Sequence, residues 1–245
     1  MKGNAEQAFK TSAVYCINLD RRPERWQRAQ RAIVNAGFPS VQRFAAVDGA
    51  SVGFDDPRLS VRLAAIVKKT HKAPLGVKRG VIGCYMSHLA LWQHIVDQNF
   101  ERCVIFEDDV KFVSDFPRKL ESHLRERNLH DVDMLFFGYL KRGEIDAGGR
   151  LRGRVWGTQS YFISNAGARR LLERAIPICE AIDEHIEHVA ELDTDLKVYC
   201  ARKPLVVQNS VVSDVQPISY AFGHRLSRVV MLLIAAALAI YFFAR

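Results

Sequence analysis

The hydrophobic residues of this chain alternate between short runs typical of strands and longer stretches with helical spacing. Residues 12–19 (SAVYCINL) form a compact apolar run rich in strand-forming side chains. After Pro23, which suits the first turn of a helix, apolar residues recur at near-helical spacing as far as Gly37. This opening predicts a strand, a loop and a helix, the usual beginning of an α/β nucleotide-binding fold.

The same alternation continues along the chain. Further strands are predicted at residues 44–47, 103–106, 134–137 and 160–163, with a last strand region at 197–207 that Pro204 interrupts. Helices are predicted at residues 81–98, 168–175 and 182–190, and a helix is possible at 59–68. Residues 141–154 are rich in glycine and charge and predict a mobile loop. The pattern as a whole predicts one α/β domain over residues 12–216.

A second hydrophobic feature occupies the C-terminal segment, residues 217–245. Residues 229–243 are uncharged, and as a helix they would span about 23 Å, less than the hydrocarbon layer of about 30 Å. This stretch is apolar on all sides, so it lacks the polar face of an interfacial helix. A buried core helix is the alternative, but a terminal helix would then need cover on every side. It predicts a membrane-anchor helix, and the preceding basic residues His224, Arg225 and Arg228 favour the main body on the cytoplasmic side.

The composition indicates a folded protein with an anionic partner. The chain is 49% hydrophobic and 25% charged, which excludes a disordered protein. Its formal net charge of +8 fits a phosphorylated substrate or anionic lipid headgroups. Nucleic acid is not an expected partner, because no helix-turn-helix, RNP-like or zinc-finger pattern accompanies the charge.

The five cysteines are widely spaced and include no CxxC pair. Their spacing suggests neither a disulfide framework nor a zinc site. Cys16 and Cys103 lie in predicted strands, where a free thiol packs as a small hydrophobic side chain. This use of cysteine fits a reducing, cytoplasmic setting.

An acidic run, Glu107-Asp108-Asp109, directly follows the predicted strand at residues 103–106. Three adjacent carboxylates repel one another, and a cation among them lowers that cost. Mg²⁺ and Mn²⁺ accept carboxylate and phosphate oxygens together. Alternation along an extended segment would place Glu107 and Asp109 on one side and Asp108 on the other. Taken alone, the run fits a solvated acidic turn equally well.

Several segments together resemble glycosyltransferase family 25. They are, in chain order, residues 17–25 (INLDRRPER), 46–49 (AVDG), 83–88 (GCYMSH), 106–110 (FEDDV), 158–168 (TQSYFISNAGA) and 182–183. The resemblance covers about residues 14–214 and departs from the family at Val81, where glutamate is common. The family includes bacterial lipopolysaccharide and lipooligosaccharide galactosyltransferases and relatives that act on collagen.

The resemblance implies a GT-A-like fold, a single nucleotide-binding α/β domain with a mixed, mostly parallel central sheet. It also implies a UDP-sugar donor, typically UDP-galactose, inversion at the anomeric carbon, and a divalent metal, Mn²⁺ or Mg²⁺. On this basis the metal ligands would be Glu107 and Asp109, with Asp108 as the alternative to Glu107. The remaining donor-site residues would be Asn18, Arg21, Arg25, Asp48, Ser87, His88 and Asp108. An N-cap, surface arginines and a turn aspartate remain the alternatives for the residues before Ser87, and a structural hydrogen-bonding role is the alternative for His88.

An inverting transfer also needs a base for the acceptor hydroxyl. Asp183 is the first choice, because it matches the family's later acidic position, with Glu184 and Glu187 in reserve. An ordinary acid at a helix N-terminus is the alternative for Asp183. Gln159 and Tyr161 could line the acceptor or sugar pocket, and Trp156 is either a platform for a sugar ring or a core residue.

The combined expectation is an inverting hexosyltransferase that moves galactose from a UDP-sugar to a lipopolysaccharide-type oligosaccharide or glycolipid. It would act at the cytoplasmic face of the bacterial inner membrane, held there by the C-terminal helix. The alternative is a membrane-tethered nucleotide-sugar-binding protein of the same fold without catalysis. A nucleotidyl- or phosphotransferase is disfavoured because no glycine-rich phosphate loop appears.

Overall fold

The structure is a computed structural model and describes residues 12–61, 76–125 and 129–209. Its strands are β1 (Ala13–Asn18), β2 (Gln42–Ala45), β3 (Arg102–Glu107), β4 (Val110–Phe112), β5 (Met134–Gly138), β6 (Lys141–Ile145), β7 (Leu151–Trp156), β8 (Ser160–Ser164), β9 (Val198–Cys200) and β10 (Val206–Gln208). Its helices are α1 (Pro23–Asn35), α2 (Gly76–Asp97), α3 (Phe116–Arg125), α4 (Asn165–Leu172) and α5 (Ile182–Leu192). Two short 3₁₀ turns cover Gly49–Ser51 and Leu129–Asp131.

Eight of these strands form one mixed sheet in the order β2-β1-β3-β8-β5-β10-β4, with β9 also paired to β5. β1 runs parallel to β2 and β3, whereas β8 runs antiparallel to both β3 and β5. β9 and β10 are parallel to β5, and β4 is antiparallel to β10. Within this sheet, therefore, β8 and β4 oppose the direction that the other strands share. The predicted α/β class with a mixed, mostly parallel sheet is confirmed.

The core lies on both faces of the central strands. Phe106 of β3 packs against Phe38 and Phe112 on the face that α1 and α3 cover. On the other face, Tyr161 of β8 packs against His88 of α2. Strands buried on both faces have continuous apolar runs rather than an apolar-polar alternation. The apolar run at residues 103–106 therefore predicts a buried strand, as the structure shows.

The predicted mobile loop at residues 141–154 is wrong. These residues form the antiparallel hairpin of β6 and β7, with Lys141 opposite Trp156 and Glu144 opposite Arg152. Val155 is buried against the core, while the charged side chains of the hairpin are mostly exposed. Glycine is needed in the turn of the hairpin, because Gly149 has a φ of 80°, a left-handed conformation that other residues rarely adopt.

Other boundaries differ from the predicted ones. β2 begins two residues before the predicted strand at residues 44–47, and neither β4 nor α3 was predicted. α3 nevertheless has a helical signal, because its buried residues Phe116, Leu120 and Leu124 recur every four positions. The possible helix at residues 59–68 falls mostly outside the described residues, and the C-terminal segment 217–245 falls wholly outside them. Among the described residues, no helix combines the length and apolarity needed to cross a membrane.

A contact between two glycines fixes α2 against the loop after β2. A Cβ atom on Gly83 would lie 2.6 Å from the backbone nitrogen of Gly49 and 2.7 Å from the carbonyl oxygen of Val47. Ser87, one turn along α2, accepts a hydrogen bond from the Val47 backbone N–H at 2.9 Å. The two motifs AVDG and GCYMSH are therefore the two sides of one close approach, which positions Asp48.

Gly83→Ala should destabilise the protein by about 1–3 kcal/mol, because the new methyl group meets backbone atoms that cannot move aside. Alanine would otherwise gain up to about 1 kcal/mol over glycine inside a helix, so a net loss reports the contact. Urea unfolding measures the change, with Gly148→Ala in the exposed hairpin turn as the matched control. Equal stability of the two variants would contradict the close approach.

Candidate active site

A cleft of about 840 Å³ opens at the edge of the sheet where β1 and β3 end and β8 begins. The register explains this meeting, since Ile17 of β1 lies opposite Glu107 of β3, and Phe106 lies opposite Ser160 of β8. The Glu107 backbone N–H donates to the carbonyl oxygen of Gln159 at 2.9 Å. The residues that follow two parallel strands thus share one crevice, the usual ligand position in an α/β sheet.

The structure brings the predicted donor-site residues, the predicted metal ligands and the first-choice base to this one cleft. Its lining includes Asn18, Arg21, Arg25, Asp48, Ser87, His88, Glu107, Asp108, Asp109 and Asp183. Their roles stay predictions, but their contacts divide them into groups with different chemistry.

Asp108 is engaged by protein partners on both carboxylate oxygens. Its Oδ1 pairs with the Arg25 guanidinium, and its Oδ2 accepts a hydrogen bond from Asn18 Nδ2 at 2.6 Å. Burial raises the pKa of Asp108, and the charge of Arg25 opposes that rise. Asn18 is likewise occupied, since its Oδ1 accepts a hydrogen bond from Arg43 Nε at 2.8 Å. These contacts suit Asn18, Arg25 and Asp108 to bracing the site.

Asp109 is the acid with spare coordinating capacity. Its Oδ2 accepts a hydrogen bond from Gln208 Nε2 at 2.6 Å and lies 3.5 Å from the Arg25 guanidinium. Its Oδ1 is buried and has no hydrogen-bond partner within the part of the chain that the structure describes. Burial, and then the neighbouring charge of Glu107, raise the pKa of Asp109 to about 7. A buried carboxylate oxygen of this kind lacks the cation or donor that would offset its desolvation.

Glu107 lies between the acidic turn and α2. Its Oε1 accepts a hydrogen bond from Thr158 Oγ1 at 2.7 Å and lies 3.4 Å from His88 Nε2. Burial works against the charged form of Glu107, but the hydrogen bonds from His88 and Thr158 outweigh it and lower its pKa. Glu107 and the unpartnered Asp109 Oδ1 offer oxygen ligands of the kind that a hard divalent cation takes, whereas both oxygens of Asp108 have protein partners.

Arg21 and Asp48 form the more accessible side of the cleft. Arg21 Nε donates to Asp48 Oδ2 at 2.7 Å, with side chains 47% and 35% exposed. Asp48 Oδ1 also accepts a hydrogen bond from the Ala50 backbone N–H and caps the 3₁₀ turn. An exposed pair at a cleft entrance can exchange its mutual contact for a ligand at little cost.

His88 is held rigidly beneath the acids. Its Nδ1 lies 2.7 Å from the Tyr161 hydroxyl, which also accepts a hydrogen bond from Trp92 Nε1 at 3.0 Å. Tyr161 is fully buried, so it does not line the cleft as the sequence suggested. These contacts suit His88 to supporting the site.

Asp183 lies in the first turn of α5, where two partners hold it. Arg154 of β7 donates to its Oδ1 at 3.1 Å, and the Gly157 backbone N–H donates to its Oδ2 at 3.3 Å. Arg154 also contacts Glu184 at 2.7 Å and lies over the ring of Trp156, with 5.3 Å from Cζ to the ring centroid. The hairpin that the sequence presented as a loop therefore fixes the predicted base.

Four contributors to the cleft escaped the sequence prediction. Arg154, Thr158 and Gln208 contact the predicted acids, and Arg79 Nη1 reaches the Ala50 carbonyl oxygen at 2.6 Å. Thr158 is the first residue of the recognised segment 158–168 and could have been found, but Gln208 is ninety-nine positions from Asp109 and has no local signal. Gln159, which was predicted, lines the cleft with both amide atoms buried and without hydrogen-bond partners among the described residues.

Residues 11–186 match the family model described as "Glycosyltransferase family 25 (LPS biosynthesis protein)". The chain belongs to glycosyltransferase family 25. The family suggested by the motifs is thereby confirmed, and the fold is a glycosyltransferase-like α/β fold with a mixed central sheet.

Several animal proteins are similar to this family 25 chain. A "Glycosyltransferase 25 family member" of Aedes aegypti is 33% identical over 186 residues, which cover 71% of this chain and 30% of the relative. "Procollagen galactosyltransferase 1" of Danio rerio is 26% identical over 228 residues, 82% of this chain and 37% of the relative. "Inactive glycosyltransferase 25 family member 3" of Mus musculus is 28% identical over 184 residues, 68% of this chain and 30% of the relative.

The chain spans about a third of the length of the curated relatives it matches. A solved glycosyltransferase involved in glycosylation of the major capsid of PBCV-1 covers 82% of this chain, and the chain covers 94% of it. Its TM-score is 0.43 at 6% identity, too low to bear on function. Since the matching relatives include one named as a galactosyltransferase and one named as inactive, family membership alone does not decide the chemistry of the cleft.

Tyr161→Phe should lower the free energy of unfolding by about 1–3 kcal/mol, because it leaves His88 Nδ1 and Trp92 Nε1 buried without their shared partner. Tyr139→Phe is the matched control, since that hydroxyl donates to the Ala201 carbonyl oxygen at 2.8 Å and is not the shared partner of two buried ring nitrogens. Denaturant unfolding of both variants makes the comparison. A smaller loss for Tyr161→Phe than for Tyr139→Phe would contradict the shared-partner arrangement.

Proposed function

We propose that the chain is an inverting, metal-dependent hexosyltransferase of GT-A type that moves galactose from a UDP-sugar to an acceptor hydroxyl. The observation that carries the proposal is the unpartnered Oδ1 of Asp109, set beside Glu107 in a cleft at the ends of β1 and β3. In a family 25 chain, this oxygen is suited to a divalent cation that holds a donor diphosphate.

The donor is accommodated along the length of the cleft. Mn²⁺ or Mg²⁺, when bound by Asp109 and Glu107, would neutralise the charge that develops on the departing UDP. The exposed pair Arg21 and Asp48 can contact the nucleotide, as phosphate or ribose hydrogen-bond partners. The buried amide of Gln159 offers a donor group and an acceptor group to the sugar hydroxyls. Hydrogen bonds to the sugar would offset the free-energy cost of burying this amide.

Transfer proceeds by direct displacement at the anomeric carbon. The acceptor oxygen forms the new glycosidic bond while the bond to the diphosphate oxygen breaks, and UDP leaves with that electron pair. The acceptor's proton passes to the Asp183 carboxylate, which Arg154 and Gly157 hold at the cleft wall. Attack from the face opposite the leaving group inverts the anomeric configuration.

The acceptor proposal is a lipopolysaccharide-type oligosaccharide or another glycolipid. The family description names lipopolysaccharide biosynthesis, and the procollagen galactosyltransferase relative supports galactose as the sugar. The net charge of +8 fits an anionic, lipid-borne acceptor. Anchoring by the C-terminal segment at the cytoplasmic face of the bacterial inner membrane belongs to this proposal and concerns residues outside the described part.

A panel of UDP-hexoses with Mn²⁺, with and without chelator, tests the proposed function. Turnover with UDP-galactose should exceed that with the other donors and should disappear with the chelator. Asp109→Asn should reduce turnover by at least about 100-fold, since the cation supplies several kcal/mol of charge stabilisation. The exposed Asp195→Asn is the matched control. UDP binding without turnover on any donor would support the non-catalytic sugar-nucleotide-binding alternative.

Asp183→Asn should lower kcat by about 10²–10⁴-fold with little change in donor KM, because the amide keeps the shape but cannot accept the proton. Glu187→Gln on the same helix is the comparison, since Glu187 lies outside the cleft lining. Steady-state kinetics with a fixed acceptor measure both. Near-normal turnover by a folded Asp183→Asn protein would remove Asp183 as the base.

A further inference from the structure

Cys84, His88 and Glu107 meet at the floor of the cleft. The Cys84 Sγ, an imidazole nitrogen of His88 and a carboxylate oxygen of Glu107 all lie within 4.8 Å of one another. Cys84 and His88 are four residues apart on α2, so their side chains lie on the same helix face. The cysteine spacing along the chain gives no sign of this cluster, because two of its three members are not cysteines.

The partners of the cluster already orient its side chains. The Tyr161 hydroxyl contacts His88 Nδ1 at 2.7 Å, which leaves Nε2 directed toward Glu107 at 3.4 Å. Thr158 Oγ1 donates to Glu107 Oε1 at 2.7 Å. Metal-binding histidines usually have their second nitrogen held in this way, and ligating carboxylates are themselves hydrogen-bonded.

We propose that Cys84, His88 and Glu107 form a Zn²⁺ site with its fourth coordination position open to the cleft. A thiolate, an imidazole and a carboxylate are the ligands that zinc takes in proteins, and three protein ligands with one open position are typical of accessible zinc sites. The thiolate separates this site from the hard cation site at Asp109, because Mg²⁺ and Mn²⁺ prefer oxygen ligands.

The cluster is close to the required size. Tetrahedral zinc with ordinary bond lengths holds its ligand atoms about 3.3–3.6 Å apart. Since the three ligand atoms all lie within 4.8 Å of one another, side-chain shifts of about 1 Å at most bring them to these distances. All three residues line the cleft, so the ion has a path of entry. On binding, the Cys84 thiol releases its proton to solvent and the sulfur–zinc bond forms without any change in oxidation state.

Zinc at this cluster has a consequence for the hard cation site. Glu107 belongs to both sets of ligands. When zinc is bound by Cys84, His88 and Glu107, Glu107 is no longer available to bind the hard cation together with Asp109. Zinc should then inhibit glycosyl transfer supported by Mn²⁺; this step rests on the proposed function, whereas zinc binding itself does not.

Titration of the metal-free full chain with Co²⁺, a spectroscopic stand-in for Zn²⁺, tests the site without donor or acceptor. One equivalent should bind with the intense visible absorption of tetrahedral cobalt and a thiolate charge-transfer band, and Zn²⁺ should abolish both. Cobalt binding without a thiolate band in the unaltered protein, or no binding at all, would overturn the proposal whatever the variants do.

Cys84→Ser should lose the thiolate band and bind at least about 10-fold more weakly, with circular dichroism as the check on folding. Cys179→Ser, at an exposed cysteine outside the cleft, is the matched control and should keep the band. Cys84→Ala serves as a second variant if the serine protein fails to fold. A folded Cys84 variant that keeps the band would assign it to another cysteine and overturn the proposal.

Activity measured with fixed Mn²⁺ and rising Zn²⁺ tests the shared-ligand step. Zinc should inhibit the unaltered protein and the Cys179→Ser protein at concentrations that leave Cys84→Ser uninhibited. Equal inhibition of all three would overturn competition through Cys84. Absence of transfer under every condition would count against the proposed function, while the cobalt spectrum would still decide the zinc site.

Discussion

The buried ion pair between Arg25 and Asp108 joins the parts of the chain that make the cleft. Arg25 comes from α1 and Asp108 from the turn after β3, and each side chain is 9% exposed. Asn18, at the end of β1, donates to the same carboxylate. Removing one partner of such a buried pair typically costs about 3–5 kcal/mol, because an uncompensated charge remains. The pair therefore fixes α1, β1 and β3 relative to one another at the edge where the site lies.

The same pair explains how three consecutive acids can coexist in a folded protein. The guanidinium of Arg25 lies against Asp108 and 3.5 Å from Asp109, so part of the mutual repulsion is offset internally. The negative charge that Arg25 does not offset lies on Asp109 Oδ1 and on Glu107, and Glu107 is contacted by Thr158 and His88. Of the three acids, Asp108 thus has both oxygens engaged by protein partners, whereas Asp109 keeps one oxygen without a hydrogen-bond partner among the described residues.

Much of the fold was predictable because the central strands are buried on both faces. Residues 103–106 and 134–137 are unbroken apolar runs, and Pro23 marks the start of α1. The hairpin of β6 and β7 was missed because it lies at the surface, where charged side chains and glycines obscure its two-residue period. The motifs predicted many of the residues that gather in the cleft, but they missed Arg154 and Gln208 and wrongly included Tyr161. The motifs could not show which of these residues would be occupied by contacts with other site residues, as Asn18 and Arg25 are by Asp108, because those contacts depend on tertiary geometry.

The position of Gln208 gives the site a particular dependence on chain order. β10 pairs with both β4 and β5, and it carries the side chain that contacts Asp109 together with the Asn209 backbone N–H that donates to the Asp109 carbonyl oxygen at 2.6 Å. The family match ends at residue 186, before this strand. When synthesis has reached only the end of the family match, every predicted ligand is present, but β10, which contacts Asp109, is not yet made. The contacts that hold Asp109 are thus completed by almost the last described residues to be synthesised, and a chain cut off after the family match would lack them.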